Sequence, residues 1–240
     1  MSDQPARALH VLSAGAAKAL VEALAAPFEA EANVRIAAKF DAAGVIRDAL
    51  VGGASCDVVI LPAAMQDALA AQGRVDRASV APLGGVPTGI AVADGDRWPA
   101  VGNPDELRAS LLAATALYCP DTVRATAGIH FAGVLRTLDI DALSAPKLRE
   151  YPNGARAMAA LAAGGAQGAI GCTQITEILY TPGVMLVAPL PSPFELTTVY
   201  AVAVPQSAAG AAPARAFAAR LAGQETQALR RAGGFLAPAR

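Results

Sequence analysis

The sequence predicts an α/β protein built from two lobes, and three observations carry that expectation. Short apolar strands alternate with helices between residues 9 and 93, the alternation restarts after Asn103, and a late strand at 197–204 precedes two more helices. Repeated strand–helix–strand units favour a parallel sheet with right-handed crossovers and helices on both faces. The late strand and helices are too few for a domain of their own, so they are expected to return to the first lobe. The expected division is 1–94 with 195–240 for lobe one, and 95–194 for lobe two.

Taken in order, Leu9-His10-Val11-Leu12 is a short strand that runs through Ser13-Ala14-Gly15 into a helix reaching Phe28. Val34-Arg35-Ile36-Ala37-Ala38-Lys39-Phe40 follows the two-residue period of a strand, and Asp41-Ala42-Ala43-Gly44 opens a helix to about Val51. Asp57-Val58-Val59-Ile60-Leu61 reads as a buried strand, closed by Pro62 in the first turn of a third helix. Gly89-Ile90-Ala91-Val92-Ala93 is read as the last strand of lobe one, leading into a crossover. Asn103-Pro104-Asp105-Glu106-Leu107 carries a cap residue and a proline at the first helical position. A strand at 116–119, helices at 127–138 and 153–163, a strand at 168–171 and another at 184–187 complete lobe two. Thr197-Thr198-Val199-Tyr200-Ala201-Val202-Ala203-Val204 reads as an edge-like strand, and the C-terminal helices end near Gly234-Phe235.

The composition is that of a globular, alanine-rich chain: 54% apolar, 16% charged, with a formal net charge of -1. Cations are scattered and form no run, so a nucleic-acid partner has no electrostatic support. No apolar stretch approaches the ~18 residues of a membrane span. The start is polar, and 8–12 is too short for the apolar part of a secretory leader, so the cytosol is expected, or the periplasm if a leader precedes this chain. Cys56, Cys119 and Cys172 lie far apart, with neither metal nor disulfide spacing, and are expected as small buried thiols. No cofactor and no metal is expected.

Three strand-to-helix junctions share one chemistry: Ser13-Ala14-Gly15-Ala16, Ala42-Ala43-Gly44 and Thr126-Ala127-Gly128. Small residues let a ligand approach backbone N–H groups, and a helix N-terminus favours an anion through its unpaired donors and its dipole. In open α/β sheets such junctions gather at the carboxyl ends of the strands. Ser13 can donate a hydroxyl, and Thr126 can cap its helix or donate to a ligand. Thr173, Gln174 and Asn153 are read on loops that can face a ligand, whereas Lys18, Arg47 and Arg124 are equally compatible with surface ion pairing. His130, in the first turn of its helix, is a candidate general base in its neutral form, with packing beside Phe131 as the alternative. His10 is read as structural and Glu177 as a solvated helix face. No nucleophile elbow, P-loop, zinc cluster or complete dinucleotide fingerprint is present.

At these junctions the chain resembles the molybdate-binding branch of the type 2 periplasmic solute-binding proteins. The matching segments are Val11-Leu12-Ser13-Ala14-Gly15-Ala16, Phe40-Asp41-Ala42-Ala43-Gly44, Cys56-Asp57-Val58-Val59-Ile60, the run from Ala162 to Gly171, and Gly233-Gly234-Phe235. The resemblance implies two lobes joined by crossover strands, with a ligand cleft between them that closes by hinge motion. Two departures matter. Ala42 and Ala43 stand where the family offers a serine, and Gly171-Cys172-Thr173 replaces its tyrosine segment, so molybdate is disfavoured against a small carboxylate. The expected function is binding of a di- or tricarboxylate, with an ABC transporter permease as partner only if the protein is secreted. The alternatives are an isomerase working by proton transfer on a carboxylate such as aconitate, since aconitate isomerase is placed near this superfamily, and a cytosolic ligand sensor.

Overall fold

A computed structural model describes residues 7–164, 167–208 and 212–237. The polar start at 1–6 and two positions of the glycine–alanine run, Gly165 and Ala166, lie outside the described residues. The chain divides into two compact units, Met1–Gly85 with Val199–Arg240, and Val86–Thr198. The first boundary falls inside a 13-residue strand, earlier than the Asp94 read from the sequence, because that strand begins at Ala81 and runs without interruption to Ala93.

Unit 1 opens with β1 (Arg7–Ala14), a 3-10 turn (Gly15–Ala17) and α1 (Lys18–Ala32). Then come β2 (Val34–Asp41), α2 (Ala43–Val51), β3 (Val58–Pro62) and α3 (Ala63–Ala71). β1 lies between β2 and β3, parallel to both, as the strand–helix repeat requires. β4 (Ala81–Ala93) carries the chain into unit 2.

Unit 2 continues with α4 (Pro104–Ala113), β5 (Leu117–Pro120), α5 (Thr126–Thr137), α6 (Asp141–Ser144) and β6 (Leu148–Tyr151). It is completed by α7 (Gly154–Ala163), β7 (Ile170–Gln174), α8 (Ile175–Leu179) and β8 (Val184–Pro189). β5 is parallel to β6 and β7, whereas β4 runs antiparallel to β7 and β8. The sheet is therefore mixed and not purely parallel. One of its faces packs Leu117, Cys119 and Cys172 against Leu107, Leu111 and Phe131 of α4 and α5. The other packs Ala157, Met158 and Leu161 of α7 with Ile178 of α8. Alternation along β5 explains the split: Cys119 belongs to the first core, while its neighbour Tyr118 packs on the second.

β9 (Thr197–Ala203) returns the chain to unit 1, followed by α9 (Ala212–Ala222) and α10 (Gln227–Ala232). The edge position expected for this strand is corrected. β9 pairs antiparallel with β3 from Tyr200 to Ala203 and stands inside the strand order, because Tyr200, Ala201, Val202 and Ala203 are all buried. α9 packs on unit 1 through Phe217, whose ring centroid is 4.9 Å from that of Phe28 in α1.

Candidate anion-binding site

In unit 1 the register Ala14↔Asp41 brings β1 and β2 to a common end, so the two junctions that follow them are neighbours. They are also conformational copies. Ala14, before the 3-10 turn, has φ -57° and ψ 144°, and Ala42, before α2, has φ -56° and ψ 143°. Neither residue carries a side chain able to cap, and Ala14, Ala16, Ala17, Ala42 and Ala43 are all buried, as is Gly44. The first N–H groups of a helix have no partner within it, so at α2 a buried start without a cap leaves donors to be met from outside the helix. Asp41 Oδ1 takes the N–H of Ala42 at 2.8 Å, and those of Ala43 and Gly44 follow without a side-chain acceptor among the described residues. Ser13 is fully enclosed, and its hydroxyl donates to the carbonyl of Ala14 at 2.9 Å. Lys18 pairs with Glu22 at 2.6 Å and lies over the Phe40 ring, and Arg47 pairs with Asp48 at 2.7 Å.

In unit 2 the pairing of β5 with β7 sets the α5 start and the end of β7 at one edge of the sheet. Asp121 organises the turn before α5 by accepting from the N–H groups of Val123 and Arg124 at 2.7 and 2.8 Å. The cap position itself is Ala125, with no side-chain bond, and Ala125 and Ala127 are buried. Gly128 is required by packing: a Cβ there would run into the carbonyl oxygens of Pro120 and Asp121. His130 Nε2 lies 2.8 Å from the carbonyl oxygen of Phe194. A carbonyl only accepts, so Nε2 carries the hydrogen and Nδ1 holds the lone pair of the neutral ring.

The end of β7 departs most from the sequence reading. Glu177, expected on a solvated face, is buried, because Ile175 and Ile178 turn the short helix α8 into the core. Its carboxyl accepts from Thr173 Oγ1 at 2.6 Å and from backbone N–H groups of Gly154, Ala155 and Gln174. Burial pushes its pKa up to about 7, against the lowering effect of these donors. It closes the start of α7 together with Asn153, whose Oδ1 accepts from the N–H of Arg156 at 3.0 Å. Asn153 is thus a helix cap. Gln174 Nε2 reaches Thr198 Oγ1 at 3.4 Å, while Gln174 Oε1 and the hydroxyls of Thr88 and Thr176 are buried without partners. Thr88 and Thr198 escaped the sequence reading, which placed Glu177 on a solvated face. The two threonines carry no local signal, and Glu177 is marked only by its flanking isoleucines.

Other chemistry is scarce. Burial raises the thiol pKa of Cys56 and Cys119 to about 12 and that of Cys172 well above its ordinary value, so all three stay protonated. Among the described residues no three histidine, cysteine, aspartate or glutamate side chains gather to hold a metal. No helix among them is long and apolar enough to cross a membrane.

The fold is that of the two-lobed α/β proteins of the type 2 periplasmic solute-binding class. The family of bacterial extracellular solute-binding proteins matches residues 9–236, and the chain belongs to it. The periplasmic molybdate-binding protein of Azotobacter vinelandii superposes with a TM-score of 0.77 at 19% identity, covering 96% of this chain and 100% of that one. The sulfate-binding protein SubI from Mycobacterium tuberculosis superposes at 0.68 with 15% identity, over 95% and 86% of the two chains. An aconitate isomerase from a Pseudomonas species is 25% identical over 231 residues, which is 94% of this chain and 86% of that protein.

Proposed function

We propose that this protein binds a small organic anion, a di- or tricarboxylate in preference to molybdate or sulfate. The observation that carries the reading is the set of buried, uncapped helix starts after β1, β2 and β5. Each supplies neutral backbone donors where the dipole favours negative charge. Two of the hydroxyls that a tetrahedral oxyanion would use are committed elsewhere: Ser13 donates to Ala14 and Thr173 to Glu177. At α2 the N–H groups of Ala43 and Gly44 remain, a pair that suits the two coplanar oxygens of a carboxylate. The relatives named for molybdate and sulfate support anion binding as the common theme. Calorimetric titration with succinate, malate, tricarballylate and citrate, beside molybdate and sulfate, is expected to give heat with the carboxylates. Absence of heat and of any thermal shift with all six overturns the reading. An ABC transporter permease is the natural partner if the protein is exported.

The match to aconitate isomerase favours a second reading, an isomerase that shifts a proton on such a carboxylate. The nominated base is His130 through Nδ1, since Nε2 is held by Phe194. The base removes a proton from one carbon, the double bond migrates, and a proton returns to the other carbon. Proton NMR of cis- and trans-aconitate in deuterated buffer tests this by interconversion and deuterium uptake. Turnover that survives His130→Ala removes the assignment of the base.

A further inference from the structure

We infer that Thr88, Gln174 and Thr198 form a neutral subsite in unit 2 that takes the hydroxyl group of a hydroxy-carboxylate. The inference rests on the carboxylate reading above and narrows it to one kind of acid. Thr88 and Gln174 are register partners across β4 and β7, so their side chains leave the same face of the sheet side by side. Thr198 joins them through the 3.4 Å contact to Gln174 Nε2. All three side chains are more than nine-tenths buried, at 1%, 3% and 8% exposure.

The backbone of Thr88 is already used, with its N–H donating to Leu196 at 2.8 Å and its carbonyl accepting from Leu190 at 3.0 Å. What stays open is its hydroxyl, together with Gln174 Oε1. An enclosed polar atom without a partner costs about 1–3 kcal/mol, so two of them beside each other call for an occupant. The occupant must be uncharged, because the set offers no charge to pair with and removing an ion from water is expensive. It must both donate and accept. The amide oxygen needs a donor and the threonine hydroxyl serves either way, and turning the amide end for end exchanges the roles without removing the need. An alcohol meets both conditions, whereas a carboxylate oxygen only accepts. The place also fits, since the end of β7 shares its sheet edge with the start of α5, where the anionic part of the ligand is proposed to sit.

The test compares acids that differ by one hydroxyl: malate against succinate, and citrate against tricarballylate, titrated into the wild type and into Thr88→Val and Thr88→Ser. The expected result is tighter binding of the hydroxylated member by about tenfold or more, lost in Thr88→Val and kept in Thr88→Ser. Should Thr88→Val not fold, Thr198→Val takes its place with the same expected loss. Equal affinity within each pair overturns the subsite, as a trapped water alone would give, and leaves the carboxylate reading standing. A preference that survives in the valine variant overturns it too. Binding of none of the four acids overturns both.

Discussion

Helices α4 and α7 begin differently from α1, α2 and α5, and the difference separates structure from function in this chain. At α4, Asn103 accepts from the N–H of Glu106 at 2.9 Å, and Glu106 reaches back to the N–H of Gly102 at 2.8 Å. At α7, Asn153 and the carboxyl of Glu177 take the first donors. Both helices are closed by their own chain. The starts after β1, β2 and β5 carry alanine at the cap position, which forms no side-chain cap, and the alanines there are buried. α3 provides the control. It too lacks a side-chain cap, but Ala64 in its first turn is exposed and water can reach it. Burial without a cap, and not the missing cap by itself, marks the candidate site.

The largest expected effect comes from breaking a closed start. A Cβ on Gly154 would land on the Glu177 carboxyl and on Thr173 Oγ1, so Gly154→Ala is expected to destabilise unit 2 by about 3 kcal/mol, read by urea denaturation. The same pairing predicts a pH dependence. The folded protein holds the Glu177 proton to about pH 7, whereas the unfolded chain releases it near the ordinary value of 4.5. Between those limits the folded state binds more protons, so stability falls as pH rises, by about 3 kcal/mol in total, and levels off above pH 7. Glu177→Gln should flatten that slope in urea denaturation measured from pH 5 to pH 8.

Closing an open start makes the converse experiment. Ala42→Asp places an acceptor at the α2 cap, which should lower carboxylate affinity about tenfold in calorimetry while leaving the fold intact. If affinity is unchanged, the α2 start does not meet the ligand. The smallest effect is expected at α4, remote from any proposed ligand in function: Asn103→Ala should cost about 1 kcal/mol of stability and leave binding untouched.

How much of this was legible depends on where the information resides. The α4 start is written locally in Asn103-Pro104-Asp105-Glu106 and was read correctly to the residue. β6 was missed because Leu148-Arg149-Glu150-Tyr151 has two charges in four residues, which an edge strand tolerates and a pattern search discounts. The strand at 197–204 was legible, but its polar opening Thr197-Thr198 suggested an edge, whereas its burial is fixed by β3, a partner far away in the chain. At the candidate site the small residues before the helices were visible, but small residues serve packing as readily as ligands, as Gly128 shows. Whether a helix start is already satisfied depends on distant groups such as Glu177 reaching Gly154, and no window of sequence contains both.

The matching backbone of Ala14 and Ala42 has a consequence for how such a protein can change over generations. Recognition through main-chain N–H groups is indifferent to most side-chain substitutions, because every residue except proline brings the same donor. On the proposed reading, the main-chain donors of these junctions are therefore robust to mutational drift, and selection is free to retune the surrounding side chains. A lineage built this way can hold its fold at 19% identity.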